Sequence, residues 1–175
     1  MKKLAFLGDS LTHAGRWDEF FPAYEVSNHG VPGEKSNEIL QRLPGVLSEN
    51  PDVLFVMMGI NDLGDGIDEA SIIENYSKLI AQVISKIDIK MVVQSVLPVN
   101  FQLFPTKEFN SEKIRLINKL LINLCKEENI TFVDLYASLS TYSNELMKEY
   151  TYDGLHLNEA GYRIWHNCLQ SEKLI

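Results

Sequence analysis

Apolar residues along this chain fall into two alternating patterns: short continuous runs, and longer stretches in which they recur every three or four positions. Strand candidates, interrupted by polar residues in the second and fifth, lie at Lys3–Leu7, Tyr24–Ser27, Val53–Met58, Lys90–Val96 and Thr131–Leu135. The third and fourth are nearly unbroken, Val-Leu-Phe-Val-Met-Met and Met-Val-Val. Such runs suit strands covered on both faces of a parallel sheet.

Helical spacing fills the intervals. Ile72, Ile73, Tyr76, Leu79, Ile80, Val83, Ile84 and Ile87 form one apolar stripe, with Ser71 and Glu74 at capping-box spacing at its start. Ser111–Glu128 predicts a second long helix, with Ile114, Ile117, Leu121 and Leu124 on its core face. Ser36–Leu43 predicts a short one. Asn158 is the expected cap of the last helix, whose core face is Tyr162, Trp165, Cys168 and Leu169.

Strand and helix in alternation predict a three-layer α/β fold with a five-stranded parallel sheet of order 2-1-3-4-5. With 175 residues, one domain over 1–175 is expected. Ligands of such sheets bind beyond the carboxyl ends of the strands, where the strand order reverses. Ser10 follows the first run, Gly33 the second and Asn61 the third. The order 2-1-3 therefore brings three distant residues to one crevice.

Composition narrows the partners. The formal charge is −8, and no cluster of Lys or Arg stands out. Neither nucleic acid nor a membrane surface is an expected partner, because phosphate binding draws on basic side chains. Cys125 and Cys168 lie within helical patterns without metal-ligand spacing and are expected as free, buried thiols. The apolar stretch Leu4–Leu7 after Lys2-Lys3 is too short for a secretion signal, and no run suits a membrane span. A cytoplasmic protein is expected. The sequence does not set an oligomeric state.

Candidate chemistry sits at the strand ends. Ser10 is a nucleophile if a base adjoins it, and a turn or helix-capping serine otherwise. Asp153 and His156 stand three apart, a spacing that on a helical turn puts both side chains on one face. The carboxylate then takes the Nδ1 proton and leaves Nε2 facing the serine. The plain alternative is a surface Asp–His pair. Gly33 has no Cβ to block approach of its N–H to an oxyanion, and Asn61 carries an amide of the kind that stabilises one. Each also reads as an ordinary turn former. The Ser10 N–H is the third donor. Asp9 and Asp62 are expected to hold their turns through backbone hydrogen bonds.

Four blocks in order carry a resemblance. They are Phe6-Leu-Gly-Asp-Ser10-Leu, Asn28-His-Gly-Val-Pro-Gly33-Glu-Lys-Ser36, Met58-Gly-Ile-Asn61-Asp62, and Tyr152-Asp-Gly-Leu-His156-Leu-Asn158-Glu-Ala-Gly161-Tyr162. The chain resembles the SGNH hydrolases, also called GDSL-type lipases and acylhydrolases. The resemblance spans about residues 4 to 165. It implies a flavodoxin-like α/β/α sandwich, Ser10 as nucleophile, and His156 as base with Asp153 as its partner. It further implies Ser10, Gly33 and Asn61 as the oxyanion hole, with no cofactor and no metal. The second block departs only after its glycine, reading Glu34-Lys35-Ser36 where Asp followed by Thr or Ser is commoner.

The expected reaction is two-step acyl transfer on a small-molecule ester, with activity falling on acidification. The resemblance admits short-chain acyl esters, acetylated sugars, lysophospholipids and thioesters; a short-chain acyl ester of a soluble alcohol or carbohydrate, acetyl among the options, is the first expectation. His13 and Trp17, with Arg16, follow the serine and are expected to face the substrate. The loop over 97–110 carries Phe101, Leu103, Phe104 and Phe109 and can line an acyl pocket, form a lid, meet a second subunit or fold onto the core. Two rivals differ in chemistry. A phosphatase using Asp9 would want a second Asp two residues on, where Leu11 stands, and magnesium. A flavin-binding module would place a phosphate beside the Asp9 carboxylate, which repels it.

Overall fold

The computed structural model describes residues 1–86 and 89–171. Ile87, the last residue of the long stripe, falls outside them, as do residues 172–175. Five strands, β1 (Lys3–Gly8), β2 (Glu25–Gly30), β3 (Val53–Met57), β4 (Lys90–Gln94) and β5 (Thr131–Val133), form one sheet of order β2-β1-β3-β4-β5. Every pairing is parallel.

The unbroken apolar runs become the central strands. Every residue of β3, all but the first of β1 and all but the first of β4 are buried. Edge strand β2 is only partly covered, and its sequence, Glu-Val-Ser-Asn-His-Gly, is correspondingly polar. Phe6 on β1 stacks on Phe55 of β3 at 4.6 Å and, on its other side, on Trp17 at 4.3 Å.

Helices cover both faces. In chain order they are α1 (Ser10–His13), α2 (Trp17–Phe20), α3 (Ser36–Ser48), α4 (Ile60–Gly64), α5 (Glu69–Ile84), α6 (Ser111–Glu127), α7 (Leu135–Leu139) and α8 (Glu159–Ser171). α5 packs between α3 and α6, and α8 packs on α7.

Several boundaries differ from expectation for local reasons. α5 starts at Glu69 because Asp68 caps it, its Oδ1 accepting from Ser71 N–H at 2.8 Å. Glu74 pairs with Lys78 instead of closing a capping box. α3 continues past Pro44 to Ser48, carried by the buried residues Leu43, Val46 and Leu47. β4 stops at Gln94 because the Asn118 side chain takes over both the N–H and the C=O of Val96, at 2.8 and 2.9 Å. β5 ends at Val133 because Asp134 caps α7. Cys125 is buried and Cys168 partly so, both free. Burial pushes the Cys125 thiol up to about 12, the signature of an unreactive core thiol.

Among the described residues, no helix is long and apolar enough to cross a membrane. Nor is any group of three or more His, Cys, Asp or Glu placed to hold a metal ion.

Candidate active site

β1 delivers Ser10. Its last residue is Gly8, and Asp9 then caps α1 by accepting from Leu11 N–H at 2.9 Å. Ser10 is thus the first residue of a helical turn, where the backbone N–H has no partner within the helix. The Ser10 hydroxyl lies 3.1 Å from His156 Nε2.

His156 and Asp153 come from a loop rather than the helical turn that their spacing suggests. α8 begins only at Glu159, and an antiparallel bridge between Thr151 and Leu157 pinches the segment between them. Asp153 Oδ1 accepts from the N–H groups of Leu155 and His156 at 2.9 and 2.8 Å. Its other oxygen, Oδ2, lies 2.7 Å from His156 Nδ1. A carboxylate only accepts, so Nδ1 carries the proton and Nε2 is left to accept from Ser10 Oγ–H. Burial alone would raise the Asp153 carboxyl; the bonds from His156 and from the two amides outweigh it and hold it below the ordinary carboxylate value.

The loop is locked from several sides. Thr151 Oγ1 donates to His156 C=O at 2.6 Å and accepts from Gly154 N–H at 2.8 Å. Asn100 N–H donates to Gly154 C=O at 2.8 Å, and the Asn100 amide donates to Leu146 C=O at 2.9 Å. The 97–110 segment therefore braces the Asp–His loop, a contact that sequence spacing did not reveal.

Gly33 follows β2 with φ +80°, the left-handed region that favours glycine. Asn61 is the second residue of α4. Its Nδ2 donates one hydrogen to Glu34 C=O, one residue past Gly33, at 2.9 Å; the amide keeps a second hydrogen. Asp62, only 1% exposed, accepts from Ser36 N–H at 2.8 Å and Ser36 Oγ at 2.5 Å. Asn75 on α5 donates to the same hydroxyl at 2.8 Å. The ends of β2 and β3 are thereby tied together below the crevice. Asn75 carried no functional signal in the sequence, and Ser36 stood there only as the end of the second block.

Asp9 is buried beside the serine, and its Oδ2 has no protein partner. Burial raises its carboxyl from 3.8 to about 7, against the opposing pull of Leu11 N–H and His156; nearby Asp62 adds to the rise.

The expected substrate-facing residues divide. His13 is exposed at the end of α1, with Nδ1 3.1 Å from Gly30 C=O. Trp17 is a correction: it is 1% exposed, stacked on Phe6 and set edge-on to Trp165 at 5.0 Å. Its indole N–H donates to Thr12 C=O at 2.8 Å, so it is core and presents no face to a ligand. Phe101 and Phe104 are half-buried against the core, Phe101 edge-on to the buried Phe109. Leu103, between them, is exposed. Arg16 pairs with Glu19 and Glu159. It borders a cleft of about 300 Å³ with Phe20, Tyr152 and Tyr162, whose walls include neither Ser10 nor His156.

Known proteins share this arrangement of elements. The chain is 29% identical over 166 residues to an N-acylneuraminate cytidylyltransferase of Streptococcus agalactiae serotype V, covering 95% of this chain and 36% of that protein. It thus spans little more than a third of that relative. It is 26% identical to platelet-activating factor acetylhydrolase IB subunit alpha2 of Rattus norvegicus, over 90% of this chain and 69% of the relative. The solved structure of an acetyl xylan esterase superposes with a TM-score of 0.82 at 25% identity, covering 97% of this chain and 98% of the other. The profile of the GDSL-like lipase/acylhydrolase family matches residues 6–164. With that match over nearly its whole length, the chain belongs to the GDSL-like lipase/acylhydrolase family, the SGNH hydrolases, whose members are carboxylic ester hydrolases.

Proposed function

We propose that this protein hydrolyses short acyl esters, foremost acetyl esters of a small alcohol or carbohydrate, through an acyl-enzyme on Ser10. The observation that carries the reading is the unbroken relay from Ser10 Oγ to His156 Nε2 at 3.1 Å and from His156 Nδ1 to Asp153 Oδ2 at 2.7 Å.

In the first step Ser10 Oγ attacks the ester carbonyl while Nε2 takes its proton, and Asp153 stabilises the resulting imidazolium. The negative oxygen of the tetrahedral intermediate is received by the N–H groups of Ser10 and Gly33 and by the free hydrogen of Asn61 Nδ2. Loss of one such donor typically costs about 2.7–4 kcal/mol of transition-state stabilisation. His156 then protonates the departing alcohol, leaving Ser10 acylated. Water, deprotonated by Nε2, attacks the acyl carbon, and the carboxylic acid leaves as Ser10 regains its proton.

The acetyl preference draws on two similar proteins, one named an acetylhydrolase and one an acetyl xylan esterase. Exposed Leu103 beside the Asp–His loop favours a second reading, a longer acyl group as in a lysophospholipase or thioesterase. The two free thiols are consistent with the reducing cytoplasm.

A panel of p-nitrophenyl esters from acetate to laurate, run beside acetylated sugars, tests both. Acetate should turn over fastest, and Ser10→Ala should abolish the burst of p-nitrophenol. Full activity in that variant would end the serine-hydrolase reading; fastest turnover of laurate would favour the long-acyl one.

A further inference from the structure

We propose that Arg42, acting through Glu34, is a positioning residue for the oxyanion hole. The inference rests on the ester-hydrolase reading and concerns what sets the distance between two of its donors.

Arg42 stands on α3, outside the catalytic blocks. Its Nε lies 2.9 and 2.8 Å from the two Glu34 carboxylate oxygens, and its Nη2 donates to Glu34 Oε2 at 2.6 Å. The same Nη2 donates to His29 C=O at 3.0 Å and reaches Gly8 C=O at 3.4 Å. Those carbonyls belong to the next-to-last residue of β2 and the last of β1, the second of them two residues before Ser10. One guanidinium thus joins both strand ends to the loop that carries Gly33.

Glu34 passes that anchorage on. Its carboxylate is held by Arg42, and its backbone carbonyl accepts from Asn61 Nδ2 at 2.9 Å. Its own N follows directly on Gly33. A shift of Glu34 therefore moves the Gly33 N–H and the Asn61 amide together. The loop is open at this point: residues 31–33 are exposed, and a Cβ built on Gly33 meets nothing within 4 Å. Polar ties set its position. Nearest to Gly33, the tie at Glu34 is partly sheltered, with side-chain exposures of 29% for Arg42 and 18% for Glu34, and the buried Ser36–Asp62 bonds follow two residues on. Lys35 next to it makes ion pairs with Asp65 and Glu38, both of which are more exposed, and exposed pairs contribute little.

Lysine cannot replace this arginine on physical grounds. A guanidinium meets both carboxylate oxygens through Nε and Nη2 and keeps the second Nη2 hydrogen for the strand-end carbonyls, whereas an ammonium is a point charge on a flexible stem. Arg42→Lys keeps the charge and loses the geometry.

The test compares wild type, Ser10→Ala, Arg42→Lys and Glu34→Asp with p-nitrophenyl acetate, and measures inhibition by phenylboronic acid, which forms a tetrahedral adduct on a nucleophilic serine. Arg42→Lys should lower kcat about 10- to 100-fold, less than the roughly 10²–10³ that outright removal of one donor costs. KM should stay within about twofold, and boronate affinity should weaken by the same factor as kcat, because both report the tetrahedral state. Glu34→Asp, one methylene shorter, should give the same signature and decides the matter if Arg42→Lys does not fold. Unchanged kcat and boronate affinity in whichever variant folds would overturn the positioning role, as would a loss confined to KM. If wild type shows no advantage over Ser10→Ala, the ester-hydrolase reading falls, and this inference with it. A clear advantage alongside fully active Arg42 and Glu34 variants sinks this inference alone.

Discussion

Asn100 N–H donates to the C=O of Gly154 at 2.8 Å, and this bond clamps the Asp153–His156 loop against the segment that follows β4. Gly154 has φ +93°, and a Cβ placed there would lie 2.6 Å from Asn100 O, 2.8 Å from Leu103 Cβ and 2.8 Å from Phe104 N. Two of those atoms are backbone and cannot swing away. Gly154→Ala should therefore displace the loop and lower kcat by about 100-fold, the scale of an ångström of misplacement in a catalytic group. Steady-state kinetics on p-nitrophenyl acetate checks it. Wild-type kcat in Gly154→Ala would mean that the clamp does not position His156.

Gly33 offers the contrast. Its φ of +80° also disfavours a side chain, but a Cβ there meets no atom within 4 Å. Gly33→Ala keeps its N–H and meets only the backbone penalty of the left-handed region, about 1–2 kcal/mol. Its loss of kcat should be the smaller of the two, under about tenfold. A larger loss than in Gly154→Ala would show that access to the Gly33 N–H, rather than loop placement, is the limiting factor.

Asp153 holds the Nδ1 proton on His156, so Asp153→Asn should lower kcat by about 10⁴-fold with little change in KM, as expected when the imidazole loses its orienting carboxylate. The hydrogen bonds that lower the Asp153 carboxyl favour its charged form. Its contribution is present above the unfolded carboxylate value of about 3.8 and is lost only as pH falls through the lower, folded one. No limb from the Asp153 carboxyl should therefore appear in the pH–rate profile of the wild type above about pH 4. A limb between about pH 4 and 5 would contradict this.

Much of this architecture was legible because it rests on repetition. The near-unbroken runs in Val53–Met58 and Lys90–Val96 suited covered strands and became β3 and β4, and the order 2-1-3 puts the loops that carry Ser10, Gly33 and Asn61 side by side. What escaped was specific rather than periodic. The Asp153–His156 spacing matched a helical turn but is met by a turn in which Asp153 binds two backbone amides. Trp17 looked like a loop aromatic because nothing in its neighbours announces that Phe6 will lie flat against it. Glu34 with Arg42, and Asn100 with Gly154, meet across elements and leave no mark in either segment alone.

Ser36 joins two of those elements. Its hydroxyl donates to the buried Asp62 carboxylate and accepts from Asn75. Ser36→Ala leaves one Asp62 oxygen and the Asn75 amide short of a partner, which should cost about 1–3 kcal/mol. Urea unfolding should show a lower midpoint at unchanged slope. Ser36→Thr keeps the hydroxyl and should recover part of the loss. An Ala variant as stable as wild type would mean that water replaces the lost hydroxyl at no cost.

Asp9 gives the pH dependence of stability its sharpest test. Its folded carboxyl is raised from 3.8 to about 7, chiefly by burial. A raised value means that the unfolded protein gives up the proton first. The favourable contribution is thus complete below about pH 4 and is lost as pH climbs through about 7. His166 works in the opposite sense: burial lowers it, against a bond with the Phe20 backbone, so it lowers stability as the solution is acidified. A raw stability curve mixes the two, whereas the difference between Asp9→Asn and wild type isolates Asp9. Asparagine retains an oxygen for Leu11 N–H and carries no charge. Measured by thermal melts from about pH 4 to 8, the stability of Asp9→Asn relative to wild type should rise with pH up to about 7 and level off above it. A constant difference across that range would show that Asp9 stays ionised in the fold and that its burial carries no titrating cost.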